Sequence, residues 1–136
     1  MPESPIDQSR FEKIIKGELP AEKIYEDERV IAFLTIRPLA DGHALVIPKK
    51  RIEEIWDLSD DDYKYLWRVA NKIALHLRTV MAADRVGVVV KGQSFHHVHI
   101  HLIPIMRGVH INFDPNPKAP IADDKKLATI AKMVRF

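Results

Sequence analysis

The chain has 136 residues, of which 46% are hydrophobic and 29% charged, and its formal net charge is +2. That length fits one domain with a core of ordinary size, and the near balance of charge argues against a dedicated nucleic-acid binder. The absence of cysteine excludes disulfides and thiolate metal sites. No apolar run approaches the roughly 20 residues that span a bilayer, and the N-terminal segment lacks the apolar stretch of a signal peptide. The composition therefore predicts a cytoplasmic protein without a membrane partner.

The N-terminal half predicts one short helix and three strands. Residues 1–8 are polar and proline-rich and predict a flexible arm. Ser9, with Glu12 three residues later, has the spacing of a capping box at the start of a helix. The predicted strands in this half cover residues 23–25, 30–36 and 44–48, with turns at 26–29 and 39–42.

The C-terminal half predicts two helices and two strands. Ser59 is a good N-cap for a long helix over residues 60–82, in which apolar side chains recur at helical spacing. The remaining elements are a strand at 86–90 that ends before Gly92, a strand at 97–103 ended by Pro104, an irregular connection at 112–120, and a helix at 122–134. Together these elements predict an α+β fold, in which helices cover an antiparallel sheet.

The segment QSFHHVHIHLIP, residues 93–104, contains four of the seven histidines. Successive side chains of a strand point to opposite faces, so His97, His99 and His101 share one face. The intervening Val98, Ile100 and Leu102 point the other way, into a core.

Three interpretations of this histidine face are possible. It could be a polar surface that happens to use histidine. It could bind a metal, since neutral imidazole suits zinc, copper, nickel and iron, although three ligands on one flat strand rarely converge on one ion. It could act on an anion, since histidine can attack phosphorus, transfer protons and donate hydrogen bonds near neutral pH.

The segment His97-Val98-His99-Ile100-His101-Leu102-Ile103 resembles the signature of the histidine triad (HIT) family, in which three histidines alternate with apolar residues. Three flanking segments are similar to the family as well, and the resemblance runs from about Ser9 to Pro104. These segments are Gly92-Gln93-Ser94 before the triad, the strand 44–50 after His43, and the helix and turn that contain residues 11–15 and 18–21.

The resemblance implies the HIT fold, a five-stranded antiparallel sheet with covering helices. It implies a HIT domain at residues 9–106, followed by a C-terminal extension with a short helix at 107–136. Family members are typically homodimers that join two sheets into one of ten strands. The long helix from Asp60 and the strand near 86–90 are the expected interface.

The resemblance also implies a catalytic set. His99 would attack the α-phosphate of a nucleotide and form a nucleotidyl-histidine intermediate. His97 and His101 would orient His99 and contact phosphate oxygens, and His43 would extend their hydrogen-bonded relay. Ser94 would assist the leaving group as in the Hint-like, bacterial-type branch. Neither a metal nor a cofactor is expected, because imidazoles and backbone N–H groups stabilise the charge.

The nucleotide-binding residues implied by the resemblance lie on both sides of that set. Phe11, Ile14, Phe33 and Ile36 would form the apolar walls for the base, and each is equally consistent with ordinary core. Lys91, Gly92 and Gln93 would lie beside the phosphates.

Three features depart from the family pattern. Thr35 stands where Hint-like members usually have an acidic residue that binds the ribose. The loop before Gly92 is shortened, with Lys91 nearest to the missing asparagine. Ser9 and Glu12 replace a zinc-binding Cys-x-x-Cys of bacterial relatives.

The implied function is hydrolysis that releases AMP or GMP from phosphoramidate or acyl-nucleotide substrates, a nucleoside phosphoramidase activity. The third histidine, His101, favours the hydrolase branches of the family, because the nucleotidylyltransferases carry glutamine there. A dinucleoside polyphosphate hydrolase of the Fhit-like kind is the alternative enzyme. A nucleotide-binding regulator without turnover is the non-enzymatic alternative, suggested by the shortened loop and Thr35.

Overall fold

The structure, a computed structural model, describes residues 8–115 and 118–136. Within these ranges the chain forms five strands and three α-helices, which confirm the predicted α+β fold with a five-stranded antiparallel sheet. In chain order the elements are α1 (Arg10–Ile15), β1 (Lys23–Glu26), β2 (Val30–Leu34), β3 (Ala44–Pro48), a 3-10 turn (Ile55–Asp57), α2 (Asp60–Val80), β4 (Arg85–Val89), β5 (Ile100–Ile105) and α3 (Asp124–Val134).

The strand order is β1-β2-β3-β5-β4, and every neighbouring pair is antiparallel. The histidine-bearing strand β5 thus lies inside the sheet, beside β3, with Leu45 opposite His101. His43 immediately precedes β3, so the same pairing brings it to the end of the histidine segment. Strand β4 forms one edge of the sheet.

The two faces of the sheet bury different sets of residues. Because side chains alternate along a strand, β2 and β3 are buried on both faces. The face toward α2 and α3 carries the larger apolar core, which includes Val98, Ile100 and Leu102 as predicted. The other face packs against α1 through a smaller cluster of Phe11, Ile14, Ile31, Phe33, Leu45 and Ile47.

Helix α2 begins as its sequence predicts. The Ser59 hydroxyl accepts a hydrogen bond from the backbone N–H of Asp62 at 3.1 Å, and three aspartates in the first turn interact favourably with the helix dipole. The helix ends at Val80, two residues before the predicted end. Ala82 has a φ of 51°, a left-handed conformation that terminates helices.

Strand β5 differs from its prediction at both ends. It begins at Ile100, because the backbone N–H of Val98 donates to the carbonyl of Ile52 at 2.8 Å and leaves the sheet ladder. It continues through Pro104 to Ile105. The pairing with β3 stops at Leu102, so Pro104 pairs only with Val86 on β4, and its missing N–H interrupts no pairing with β3.

The predicted capping box of α1 does not form. Ser9 occupies the N-cap, but its side chain makes no cap hydrogen bond. Glu12 instead forms an ion pair with Arg51 at 2.9 Å, which ties α1 to the segment that follows β3. Residues 1–7 of the predicted flexible arm lie outside the described residues.

Helix α3 completes the larger core. Asp123 caps it by accepting from the backbone N–H groups of Lys125 and Lys126, at 2.7 and 3.3 Å, so it begins two residues after its predicted start. Leu127, Ile130, Ala131 and Val134 are its buried face. In the described ranges no helix is long and apolar enough to cross a bilayer.

Candidate active site

A cavity of about 340 Å³ opens on the α1 face of the sheet, a volume within the range of small-molecule sites. Its wall is formed by α1, by the end of β2 with the turn that follows, and by the loop that precedes the histidines. Of the site residues predicted from the sequence, all but His97 line it: Phe11, Ile14, Phe33, Thr35, Ile36, His43, Lys91, Gly92, Gln93, Ser94, His99 and His101.

Hydrogen bonding defines which nitrogen of His99 is free. Its Nδ1 lies 2.7 Å from the carbonyl oxygen of His97. A carbonyl only accepts, so Nδ1 carries the proton and donates. In the neutral ring, Nε2 then keeps its lone pair. His99 lines the cavity, and Nε2 is the nitrogen available to a ligand.

The same reasoning fixes the tautomers of the other two cavity histidines. The backbone N–H of Leu39 donates to His43 Nδ1 at 3.1 Å, so His43 Nε2 carries the proton. That nitrogen lies 2.9 Å from His101 Nδ1 and donates to it. Neutral His101 therefore has its proton on Nε2. The His101 ring stands edge-on to that of His99, with 5.0 Å between centroids.

His97 takes a different place from the one predicted for it. Its ring is 1% exposed and does not line the cavity. Its Nε2 donates to the carbonyl of Pro48 at 2.8 Å, and its Nδ1 has no hydrogen-bond partner among the described residues. His97 contacts His99 through the backbone carbonyl of His97. Any influence of His97 on His99 would therefore act through the main chain.

Burial keeps these four imidazoles neutral. It lowers the pKa of His43 to about 4, and burial with the nearby His99 lowers that of His101 to about 3. Burial also lowers the pKa of His97 and of His99, although hydrogen bonds to backbone carbonyls oppose it. At neutral pH His99 Nε2 is therefore an unprotonated nucleophile, and His101 Nε2 is a hydrogen-bond donor.

An aromatic wall flanks His99. The ring of Phe11 lies 4.6 Å from that of Phe95 in a stacked arrangement and 5.2 Å from His99 in an edge-on one. Phe11, Ile14 and Phe33 thus belong both to the smaller core and to the cavity, so the two interpretations of these residues hold together. Phe95 was not predicted to be in the site, although it lies within the histidine segment.

Gln8 fixes the loop that carries Ser94. Its side-chain amide donates to the Ser94 carbonyl at 2.7 Å, and its carbonyl oxygen accepts from the backbone N–H of His96 at 2.8 Å. One side chain therefore holds both ends of a short stretch of backbone beside the cavity. No local pattern marks Gln8, which is 86 residues away from Ser94 in sequence.

Three cationic side chains line the cavity, and only Lys91 was predicted. Lys91 forms an ion pair with Asp114 and donates to the Pro115 carbonyl at 3.2 Å. Arg37 donates to the carbonyl of Ala119, and Arg10 is the first residue of α1. The partners of Lys91 and Arg37 belong to the predicted C-terminal extension, which therefore reaches the mouth of the cavity.

Close packing holds the start of this extension against the sheet. A Cβ placed on Gly87 would lie 2.0 Å from Cζ of Phe113, so only glycine at this point of β4 admits the ring.

The described residues contain no group of three or more potential metal-ligating side chains of the kind that would hold an ion.

Comparisons with known proteins identify the family of the chain. The model of the HIT domain matches residues 16–108. An uncharacterized HIT-like protein of Methanocaldococcus jannaschii is 41% identical over 103 residues, which cover 72% of this chain and 79% of that protein. The chain belongs to the histidine triad family.

Solved structures show the same fold. A hypothetical histidine triad nucleotide-binding protein from Sulfolobus tokodaii superposes with a TM-score of 0.82 at 28% identity, covering 93% of this chain and 89% of that one. A HIT family hydrolase from Legionella pneumophila is 33% identical with a TM-score of 0.63, covering 78% of this chain and 97% of that one.

Proposed function

We propose that the protein is a nucleotide-binding hydrolase that releases a nucleoside monophosphate through a covalent intermediate on His99. The observation that carries the proposal is the pair of ring nitrogens in the cavity. His99 Nε2 has a free lone pair, and the neighbouring His101 Nε2 has a proton to donate. The relatives described as nucleotide-binding and as a hydrolase support the same class of activity.

The first step is attack on the α-phosphate of a phosphoramidate. A bond forms between His99 Nε2 and phosphorus, the bond from phosphorus to the leaving nitrogen breaks, and the leaving amine takes up a proton from solvent. Ser94 would hydrogen-bond to that amine. In the second step water forms the new P–O bond, the P–Nε2 bond breaks, the lone pair returns to His99, and a proton passes to solvent. Division of one displacement into two easier ones is the advantage of covalent catalysis.

The bond from His99 Nδ1 to the His97 carbonyl supports this role. It orients the ring and stabilises the positive charge that develops when Nε2 attacks. His101, held by His43, would donate to a phosphate oxygen. His97 would act by presenting its carbonyl rather than by touching phosphate, which revises the role that the family resemblance implied.

The base would occupy the apolar half of the cavity. Phe11 and Phe33 offer ring faces and edges, and Ile14 and Ile36 close the wall. The loop of Gly92 and Gln93 would lie along the phosphates. Gly92 has a φ of 70°, a conformation that glycine adopts without strain.

A second candidate activity is hydrolysis of dinucleoside polyphosphates. The specific observation in its favour is Lys91, a cation at the loop beside the phosphates. The ion pair of Lys91 with Asp114 argues against this second activity, because part of the Lys91 charge is already neutralised. The non-catalytic regulator remains the third candidate, and it predicts binding without turnover.

The homodimer and the cytoplasmic location stay predictions. Strand β4 is an edge strand. Val88 on β4 is 51% exposed, Val90 immediately after β4 is 41% exposed, and Leu75 on α2 is 46% exposed. The backbone of β4 would pair with a second copy to form a continuous sheet, and these exposed side chains would lie in that interface.

The test is release of AMP from adenosine phosphoramidate, compared with diadenosine tri- and tetraphosphate, by wild type and His99→Ala. The proposal predicts turnover of the phosphoramidate that falls by roughly three orders of magnitude or more in the variant, as for other lost nucleophiles. Faster cleavage of the polyphosphates would favour the second candidate. Nucleotide binding with every substrate intact would establish the regulator and exclude both enzymes.

A further inference from the structure

The described lining of the cavity contains three cationic residues and no carboxylate. Arg10, Arg37 and Lys91 line it, and no aspartate or glutamate is among its described lining residues. The cavity histidines add no charge at neutral pH. The ligand is therefore expected to be strongly anionic.

Lys91 and Arg37 differ in the charge of their described partners. Lys91 is paired with the carboxylate of Asp114. Arg37 is half-buried, and its described partner is a neutral acceptor, the carbonyl of Ala119. A guanidinium has five N–H donors, so Arg37 keeps its charge and most of its donors for a ligand. Of these two cations, Arg37 is therefore the one whose charge is not paired with a described carboxylate.

Thr35 lies where the sugar of a bound nucleotide would pass. It follows Phe33 of the aromatic wall by two residues, and its backbone N–H donates to the carbonyl of His43 at 3.1 Å. Thr35 is thus between the apolar half of the cavity and the histidines. A ribose joins the base to the α-phosphate and would occupy that interval.

The polar groups at this point suit an anion better than a pair of hydroxyls. The Thr35 hydroxyl already accepts the backbone N–H of Arg37 at 3.2 Å, and its own proton is left to donate. In dinucleotide-binding domains a carboxylate binds the hydroxyls of an unmodified ribose, whereas an arginine accommodates a phosphate on the sugar. Among the described residues that line this cavity there is such an arginine, Arg37, and no carboxylate.

We propose that the preferred ligand is a nucleotide with a second phosphate on its ribose, at the 2′ or 3′ position, bound by Arg37 and the Thr35 hydroxyl. The inference rests on the proposed function, since it takes the α-phosphate to lie at His99. It names the substrate class of the same site. Bidentate contact with phosphate is a geometry that the guanidinium fork favours.

The experiment is calorimetric titration at fixed ionic strength with four probes: AMP, adenosine 2′,5′-bisphosphate, adenosine 3′,5′-bisphosphate and ADP. The proteins are wild type, Arg37→Gln, Arg37→Lys, and Arg78→Gln as a control. Arg78 is an exposed arginine of α2 on the opposite face of the sheet, so its replacement makes the same change of charge away from the cavity. Thermal unfolding of each variant shows whether it is folded.

The expected result is that one bisphosphate binds wild type at least about tenfold more tightly than AMP, as for a charge-assisted contact. Arg37→Gln should reduce that preference to about twofold while AMP binding changes little. Arg37→Lys should keep part of it, and Arg78→Gln should keep all of it.

Three results would overturn the inference. If neither bisphosphate binds better than AMP, the ribose phosphate is excluded while the proposed function stands. If only ADP gains over AMP, the additional phosphate belongs on the leaving-group side. If Arg37→Gln keeps the full preference, Arg37 is not the binding group. Failure of all four probes to bind would contradict the proposed function itself.

Discussion

The same strands build two faces of one sheet, and the faces are stabilised differently. Toward α2 and α3 the strands bury aliphatic side chains such as Val46, Ile100 and Leu102 in a continuous core. Toward α1 they bury His99 and His101 among aromatic rings, beside a cavity. Apolar burial needs no specific partner, whereas each buried imidazole needs a hydrogen bond. Alternate residues of one segment therefore serve stability and chemistry separately.

Exchange of His99 for alanine should give the largest effect and should act on activity alone. A loss of about 10³-fold or more in AMP release corresponds to about 4 kcal/mol of transition-state stabilisation. The thermal midpoint should change by only a few degrees, because the ring already borders an open cavity. The measurements are single-turnover kinetics and thermal unfolding on the same preparation.

Exchange of the adjacent residue, Ile100→Ala, should give the opposite pattern. Ile100 is fully buried in the larger core, and such truncations cost about 2–5 kcal/mol of unfolding free energy. Urea unfolding measures the loss, and activity per folded molecule should stay within a few-fold of wild type. If a folded Ile100→Ala protein were as inactive as His99→Ala, the division between the two faces would be wrong.

The buried histidines should make the free energy of unfolding depend on pH. His43 and His101 have pKa values of about 4 and about 3 when folded, below about 6.5 in the unfolded chain. Above pH 6.5 both states are neutral and the two rings contribute nothing. As the pH falls below 6.5, the unfolded chain binds protons that the native protein does not. The unfolding free energy should then decrease, by on the order of 2 kcal/mol per ring at about pH 5.

Urea unfolding between pH 7 and 5 measures this slope, and His43→Gln is its control. Glutamine does not titrate, so the variant should lose stability less steeply than wild type over that interval. Equal slopes in the two proteins would show that His43 does not resist protonation in the fold.

The smallest effect concerns the side chain of Gln8, which holds the Ser94 loop by two hydrogen bonds. Gln8→Ala removes two hydrogen bonds to backbone and should reduce kcat by about three- to tenfold, since each bond contributes about 0.5–1.5 kcal/mol. Gln8→Glu keeps the acceptor for His96 and loses the donor to Ser94. Its kcat should therefore lie between those of wild type and Gln8→Ala. An unchanged kcat in Gln8→Ala would show that the Ser94 loop keeps its shape without the two hydrogen bonds of Gln8.

The two faces also differ in how far the sequence predicts them. Alternation alone placed Val98, Ile100 and Leu102 in a core, and the helix of 60–80 followed from its cap and its period. The family resemblance indicated most of the cavity residues, including Phe11 and Ile14, which lie far in sequence from the histidine segment and from His43.

Contacts between distant segments had no such signal. Gln8 reaches Ser94, and Arg37 reaches Ala119, across more than 80 residues, and no local period marks either residue. Alternation with His99 assigned His97 to the strand, and the family resemblance assigned it to the site. In the structure, the bond from Val98 to Ile52 takes this part of the chain out of the ladder, and the ring of His97 turns to Pro48.

The most direct test of the account is to trap the covalent intermediate. Wild type mixed with adenosine phosphoramidate is quenched within one turnover at alkaline pH, where a phosphorus–imidazole bond survives, and its peptides are analysed by mass spectrometry. The account predicts one AMP unit attached to the peptide at His99, and none in His99→Ala. AMP attached to another residue, or undiminished turnover by His99→Ala, would contradict it.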